Sequence, residues 1–196
     1  KIMCLEEAHW PWTINADLET TGVLNYGGEL DCSMTAHPKI CPITGELLAF
    51  SYFSFEQPYL KYIRVSADGK LQQLEGIELP EMVMMHDFNI TQNFVIFMDL
   101  PLALDLELLS TGIPFRFKRD KEARLGVLPR NGKSSEIRWF QIDPCYVFHQ
   151  VNSWEEHNKI VLMVSRQDSA FGEGSGDYSN VGRLYKWTID LDSGRV

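Results

Sequence analysis

The stretch Tyr59-Leu60-Lys61-Tyr62-Ile63-Arg64-Val65, followed by Ser66-Ala67-Asp68-Gly69-Lys70, decides the class of fold. Leu60, Tyr62 and Arg64 alternate with Tyr59, Lys61, Ile63 and Val65, the period of an extended strand. The Asp68-Gly69 pair then supplies residues that tolerate the backbone of a tight hairpin. Outward from this hairpin the same signature recurs. Ile2 to Leu5, Val23 to Tyr26, Leu47 to Phe55, Phe94 to Met98 and Leu102 to Leu106 read as strands. So do Arg124 to Leu128, Ile137 to Gln141, Ile160 to Ser165 and Leu184 to Leu191. Turn-forming stretches separate them, notably Pro42-Ile43-Thr44-Gly45 and Pro129-Arg130-Asn131-Gly132. Helical periodicity is weak, with one helical turn expected within Asp105 to Thr111. Gln167 to Asn180, rich in Gly, Ser and Asp, reads as a long loop. Short strands at near-regular spacing predict an all-β sandwich, barrel or propeller, and no linker divides the chain.

Composition narrows the function classes. The chain has 196 residues, 44% hydrophobic and 23% charged, in the ordinary range of a globular domain. A net charge of −9 argues against nucleic-acid binding, which needs a basic face. No apolar run is long enough for a transmembrane helix. Four isolated cysteines, Cys4, Cys32, Cys41 and Cys145, form no CxxC pair and are expected to be reduced thiols. Lys118, Arg119, Lys121 and Arg124 read as a solvated basic cluster.

The chemistry is carried by histidines. His86 lies in Met84-Met85-His86-Asp87-Phe88, between two apolar stretches. His37 lies in Thr35-Ala36-His37-Pro38, and His149 in Tyr146-Val147-Phe148-His149. They are 49 and 63 residues apart, unlike a helical HExxH or a zinc finger, and such spacing suits a site where several strands meet. Imidazoles suit iron, copper or zinc, and an all-histidine set leaves the metal its full dipositive charge. Asp87, next to a candidate ligand, is expected to point to the opposite face of a strand. Glu155 and Glu156 are expected to cap backbone amides at a strand end.

The segments around these histidines resemble the carotenoid cleavage oxygenases. Thr35 to Lys39 with Pro42 to Glu46, Pro58 to Tyr62, Met84 to Thr91 and Phe97 to Pro101 carry the likeness. Phe148-His149 with Asn152 to Glu156, and Leu184 to Leu191, continue it through the chain. The resemblance implies part of a seven-bladed β-propeller with non-haem Fe(II) on its axis, residues 1–196 forming one partial domain that lacks the opening and closing portions. It implies that His37, His86 and His149 are three of four iron ligands. The fourth histidine and the other conserved-role glutamates are expected beyond Val196. Glu7, before Pro11, falls where the family has a glutamate that hydrogen-bonds a ligand histidine, here His86; Ala8-His9 replaces the usual Gly-Gly. By adjacency, Phe88 and Phe148 are expected to line a tunnel for an apolar polyene.

The activity so implied is cleavage of a carbon–carbon double bond of a carotenoid or apocarotenoid by O2, giving carbonyl products, with no catalytic residue beyond the ligands. Peripheral membrane contact is expected of the full-length protein, and the isolated cysteines favour a reducing location, cytoplasm or plastid. The alternatives are a stilbene-cleaving dioxygenase, a retinoid isomerase and a non-catalytic propeller that binds a partner. Glu6 stands where stilbene-cleaving members carry a lysine, which weighs against stilbenes.

Overall fold

Five antiparallel sheets account for nearly all regular structure in the computed structural model, which describes residues 2–171 and 181–196. The chain divides into two compact units, Lys1–Met82 and Val83–Val196. The divide has no sequence marker, since Met82 and Val83 are both buried. Much of the expected loop Gln167 to Asn180, residues 172–180, lies outside the described residues.

The first unit holds two sheets. Strands β1 (Ile2–Cys4), β2 (Trp12–Ile14) and β3 (Thr20–Val23) pair in chain order. Strands β4 (Lys39–Ile40), β5 (Leu47–Ser51), β6 (Leu60–Val65) and β7 (Leu71–Ile77) form a four-stranded meander. The turns fall where the sequence places them. Gly45 (φ 72°) closes β4 onto β5, its N–H bonding Cys41 O at 2.8 Å. Gly69 (φ 82°) closes β6 onto β7. Leu47, Ala49, Ile63 and Val65 pack with Leu30 and Met34, and with half-buried Met3 and Leu5 beside β1. On the other face Leu48, Phe50, Leu60 and Tyr62 are equally buried. The inner strands are thus covered on both sides, so the alternation read in Tyr59 to Val65 marks a strand without marking a wet face.

In the second unit, β8 (Asn89–Ile90), β9 (Phe94–Asp99), β12 (Ala123–Pro129) and β13 (Arg138–Ile142) form another meander. Between β9 and β12 the chain runs out into a hairpin of β10 (Leu102–Leu104) and β11 (Phe115–Phe117). A 3-10 turn, Leu106–Thr111, forms its tip, capped by the Asp105 carboxylate accepting Glu107 N–H at 3.0 Å. A third sheet contains β14 (Tyr146–Glu156), β15 (Lys159–Gln167) and β16 (Arg183–Asp190). Gly126 stands opposite Trp139, and a Cβ there would sit 2.6 Å from the indole, so glycine leaves the space that the ring fills. Up-and-down four-stranded sheets of this kind are the blades of a β-propeller.

Several expectations need correction: β5 stops at Ser51, short of Phe55, and β10 at Leu104, short of Leu106. The basic cluster is not wholly solvated: the Lys121 and Arg124 side chains are 11% and 21% exposed. Both clamp the buried Asp99 carboxylate, each at 2.8 Å. The strand expected over Val23 to Tyr26 ends at Val23, because Tyr26 takes φ 52° and opens a 3-10 turn. All four cysteines are free, and burial pushes the Cys32 and Cys145 thiols up to about 11. Buried, protonated thiols of this kind are poor nucleophiles.

Candidate metal centre

His86 and His149 meet in the second unit. His86 is half-buried on the extended segment leading to β8; His149 is exposed on β14. Their ring centroids are 4.9 Å apart with planes at 76°. Each offers a ring nitrogen within 4.8 Å of the other's. Two imidazoles sharing one metal at about 2.1 Å on adjacent vertices would hold centroids roughly 4.5–5 Å apart, so the pair fits a common ion.

A break in the ladder presents His149. The β14–β15 register shifts between Val147 and Gln150, and again between Gln150 and Asn152. Such bulges bend a strand and re-aim side chains. The bulge is fastened by polar side chains to the segment that carries His86. Tyr146 OH donates to Met84 O at 3.2 Å, and Asp87 Oδ2 accepts Gln150 N–H at 3.0 Å. Asn89 Nδ2 donates to Gln150 Oε1 at 2.7 Å, and Ser153 Oγ to Ile90 O at 2.6 Å. Glu155 ends the seam, accepting both the Asn93 backbone N–H and its side-chain amide at 2.7 Å.

Glu155 therefore caps a backbone amide as expected, while Glu156 instead accepts Trp154 Nε1 at 2.6 Å. Asp87 departs from expectation. The residue lies outside the regular strands and is 4% exposed, its carboxylate turned onto β14 and the N–H of the following Phe88. Strand alternation does not hold there, because residues 84–88 pair in no ladder. The acidic residue inside an apolar context was the available signal, since a buried carboxylate needs donors.

Burial pushes the Glu155 carboxyl up, but hydrogen bonds from Thr91 and Asn93 outweigh it and hold it below the usual carboxylate range. A depressed folded-state pKa adds stability that is present above the unfolded value and is lost as pH falls through the folded one. Glu155→Gln is expected to cost about 1.5 kcal/mol at pH 7, the low end for a hydrogen bond to a charged group. The difference from wild type should shrink on acidification below about pH 4, read by thermal melts across pH.

The other expected residues fall as follows. His37 is half-buried in the first unit, its N–H held at 3.1 Å by the hydroxyl of buried Thr35. Thr35 N–H in turn bonds Phe50 O on β5 at 2.7 Å. Glu7, half-buried, accepts a hydrogen bond from Tyr52 OH. Glu6 is exposed and engaged with His9 Nδ1 and Ala8 N–H. Phe148 lies edge-on to His86, with centroids 5.9 Å apart, and packs on Tyr146 and Phe171. Phe88 is fully buried and stacked on Phe97, with centroids at 6.1 Å, which is a core position. His157 is exposed in the β14–β15 turn with φ 56°.

The family model for the retinal pigment epithelial membrane protein matches residues 1–196. The chain is 39% identical, over its whole length, to carotenoid 9,10(9′,10′)-cleavage dioxygenase 1 of Pisum sativum. The chain belongs to the carotenoid cleavage oxygenase family. It spans 38% of that pea enzyme's length. Among solved structures of the family, the lignostilbene dioxygenase of Pseudomonas brassicacearum superposes with a TM-score of 0.86 at 33% identity. That match covers 98% of this chain and 43% of the other. A cobalt-substituted Synechocystis ACO superposes with a TM-score of 0.81 at 25% identity, covering 98% and 44%. The sheets described above therefore belong to a carotenoid oxygenase β-propeller.

Proposed function

We propose that this chain is the histidine-bearing part of an Fe(II)-dependent dioxygenase that cleaves a carbon–carbon double bond of a carotenoid or apocarotenoid. One C=C and one O2 give two C=O groups, so atoms and electrons balance without a further reductant. The observation that carries the reading is the His86–His149 pair, with ring nitrogens within 4.8 Å and planes nearly perpendicular. Membership of the family and 39% identity to a carotenoid dioxygenase support the substrate class.

His37 is proposed as the third ligand, and Glu7 as the carboxylate that orients a ligand imidazole and raises its basicity. Neutral imidazoles suit Fe(II), and a metal-substituted family structure, the cobalt form of Synechocystis ACO, supports a metal in this fold. When bound, Fe(II) supplies the one-electron chemistry that spin-paired organic groups lack toward O2. The chain's own residues do the rest. The β14 bulge fixes the angle of His149, and Phe148 offers an aromatic edge beside His86 for an apolar substrate. No side chain is assigned a proton transfer.

Peripheral membrane contact belongs to the same proposal. Leu106, Leu109 and Ile113 at the tip of the β10–β11 hairpin are exposed and offer apolar area for it. Free thiols are consistent with the proposed reducing location, cytoplasm or plastid.

A second reading, cleavage of a stilbene, is favoured by the superposition on the lignostilbene dioxygenase. Glu6 weighs against it: a carboxylate engaged with His9 would repel a phenolate where a lysine would attract one. The test is purification of the intact protein and assay of iron, O2 uptake and products, with an apocarotenoid and a hydroxystilbene side by side. Stoichiometric iron and O2-dependent carbonyl products from the apocarotenoid are expected. Geometric isomerisation without O2 uptake would transfer the protein to the isomerase reading. Absence of iron and of turnover would leave only a binding propeller.

A further inference from the structure

We infer that Asp87 is a positioning residue that couples the two ligand-bearing segments, setting the angle of His149 through the backbone rather than by touching the metal. The inference rests on the metal reading above and goes beyond it, because Asp87 is neither a ligand nor a hydrogen-bond partner of a ligand ring in that reading.

The geometry is specific. Asp87 directly follows His86, so its backbone moves with that imidazole. The residue is 4% exposed. One oxygen accepts Phe88 N–H at 2.8 Å, which fixes the rotamer against its own backbone. The other accepts Gln150 N–H at 3.0 Å, the amide that immediately follows His149. Gln150 lies between the two register shifts of β14, where the ladder to β15 is interrupted. The half-buried Gln150 amide, off the regular ladder, finds its acceptor in Asp87. The Gln150 side chain closes the lock, bonded to Asn89 Nδ2 at 2.7 Å and lying 3.2 Å from Met98 Sδ.

One carboxylate thus bridges residue 86+1 to residue 149+1, across 63 positions of sequence. Any rotation of the bulge that would swing His149 away must stretch this bond. A carboxylate serves better than an amide here, because both its oxygens accept. In Asp87→Asn, one of the two backbone donors would face an NH2 group. Outer partners that bond a ligand ring directly commonly change metal affinity by about 10–100-fold, and a carboxylate acting through the adjacent backbone is expected at the low end of that range.

The test uses the intact protein, Co(II) as a spectroscopic probe, and Asp87→Asn, Asp87→Glu and Ile160→Val. The last is a conservative core change remote from the pair in sequence, included as a stability control. Asp87→Asn is expected to bind Co(II) at least 10-fold more weakly and to shift its visible ligand-field bands. Asp87→Glu, which keeps two acceptors, should recover part of the affinity. Ile160→Val should lower the melting temperature with affinity and spectrum unchanged. Amide exchange supplies a readout that does not depend on a folded variant: in wild type, Co(II) should slow exchange at Gln150 by 10-fold or more.

Wild-type affinity and spectrum in Asp87→Asn would overturn the inference while leaving the metal reading intact. So would Gln150 exchange that ignores Co(II) in a wild-type protein that binds it. Failure of the wild type to bind metal at all would remove the metal reading and the inference together, and the two failures are therefore distinguishable.

Discussion

His149→Ala in the intact protein is expected to abolish stoichiometric iron binding and to lower O2-dependent cleavage roughly a thousandfold or more, about 4 kcal/mol of barrier. The protein should nevertheless fold. His149 is exposed and sits in a bulge, so its ring buries little area, and a stability change within about 0.5 kcal/mol is the surface norm. His86→Ala should lose iron equally but with a larger stability cost, because His86 is half-buried between Phe148 and the β14 seam. The matched control is His157→Asn. His157 is also exposed on the same hairpin, but its φ of 56° suits asparagine and it lies far along β14 from the pair. Its iron content and turnover should equal wild type. Iron analysis, melting temperature and initial rates on the three variants decide the matter. Full iron and full rate in His149→Ala would sink the assignment, whatever the family implies.

Much of the fold was legible because its strands advertise themselves by turns. Gly45 and Gly69 stand at positive φ where the sequence places hairpins, and β6, β9, β15 and β16 fall within a residue or two of expectation. The 3-10 turn at Leu106–Thr111 lies within the segment read as a helical turn. The misses each have a physical cause. β7 runs Leu-Gln-Gln-Leu-Glu-Gly-Ile, with only its last residue fully buried, so no apolar rhythm reveals it. Most of the 11-residue β14 is polar, and side chains such as Gln150 and Ser153 bond to another segment instead of packing in a core. β8 is only two residues long and owes its strand geometry to β9.

The site was legible in a different way. Spacings of 49 and 63 residues carry no local signature, so the histidines stood out through resemblance and through His86 lying amid apolar residues. What holds them was harder to read. The partners of Asp87 and Glu155 are largely backbone amides, and an amide leaves no trace in residue identity. A buried carboxylate in the sequence says that donors exist; only the fold says that one of them belongs to the residue after His149. The same limit explains the basic cluster. Lys121 and Arg124 look like surface charge until β9 and β12 are paired, which sets Arg124 directly opposite Asp99.

That ion cluster gives the largest stability effect expected away from the histidines. Asp99→Ala should destabilise the protein by about 3–5 kcal/mol, the range for removing one member of a buried ion pair. The Asp99 side chain is only 2% exposed and each oxygen meets a different cation, Lys121 and Arg124, at 2.8 Å. Its removal leaves two poorly solvated positive charges facing each other without a counter-ion. Lys121→Ala should cost far less, about 1 kcal/mol, because Arg124 still neutralises Asp99 and also stacks over Trp139 at 4.1 Å. The cycle is therefore expected to be non-additive: in the background of Lys121→Met with Arg124→Met, Asp99→Ala should cost much less than it does alone. Urea midpoints for the set measure this. An Asp99→Ala cost under about 1 kcal/mol would show that water reaches the cluster and that the pairing of β9 with β12 rests on its apolar residues instead. Those residues, Phe97 and Met98 on β9 with Leu125 and Val127 on β12, are buried and would hold the ladder in register without the charges. The ions oppose a register shift, since a one-residue slip would carry Arg124 away from Asp99 to the opposite face of the sheet.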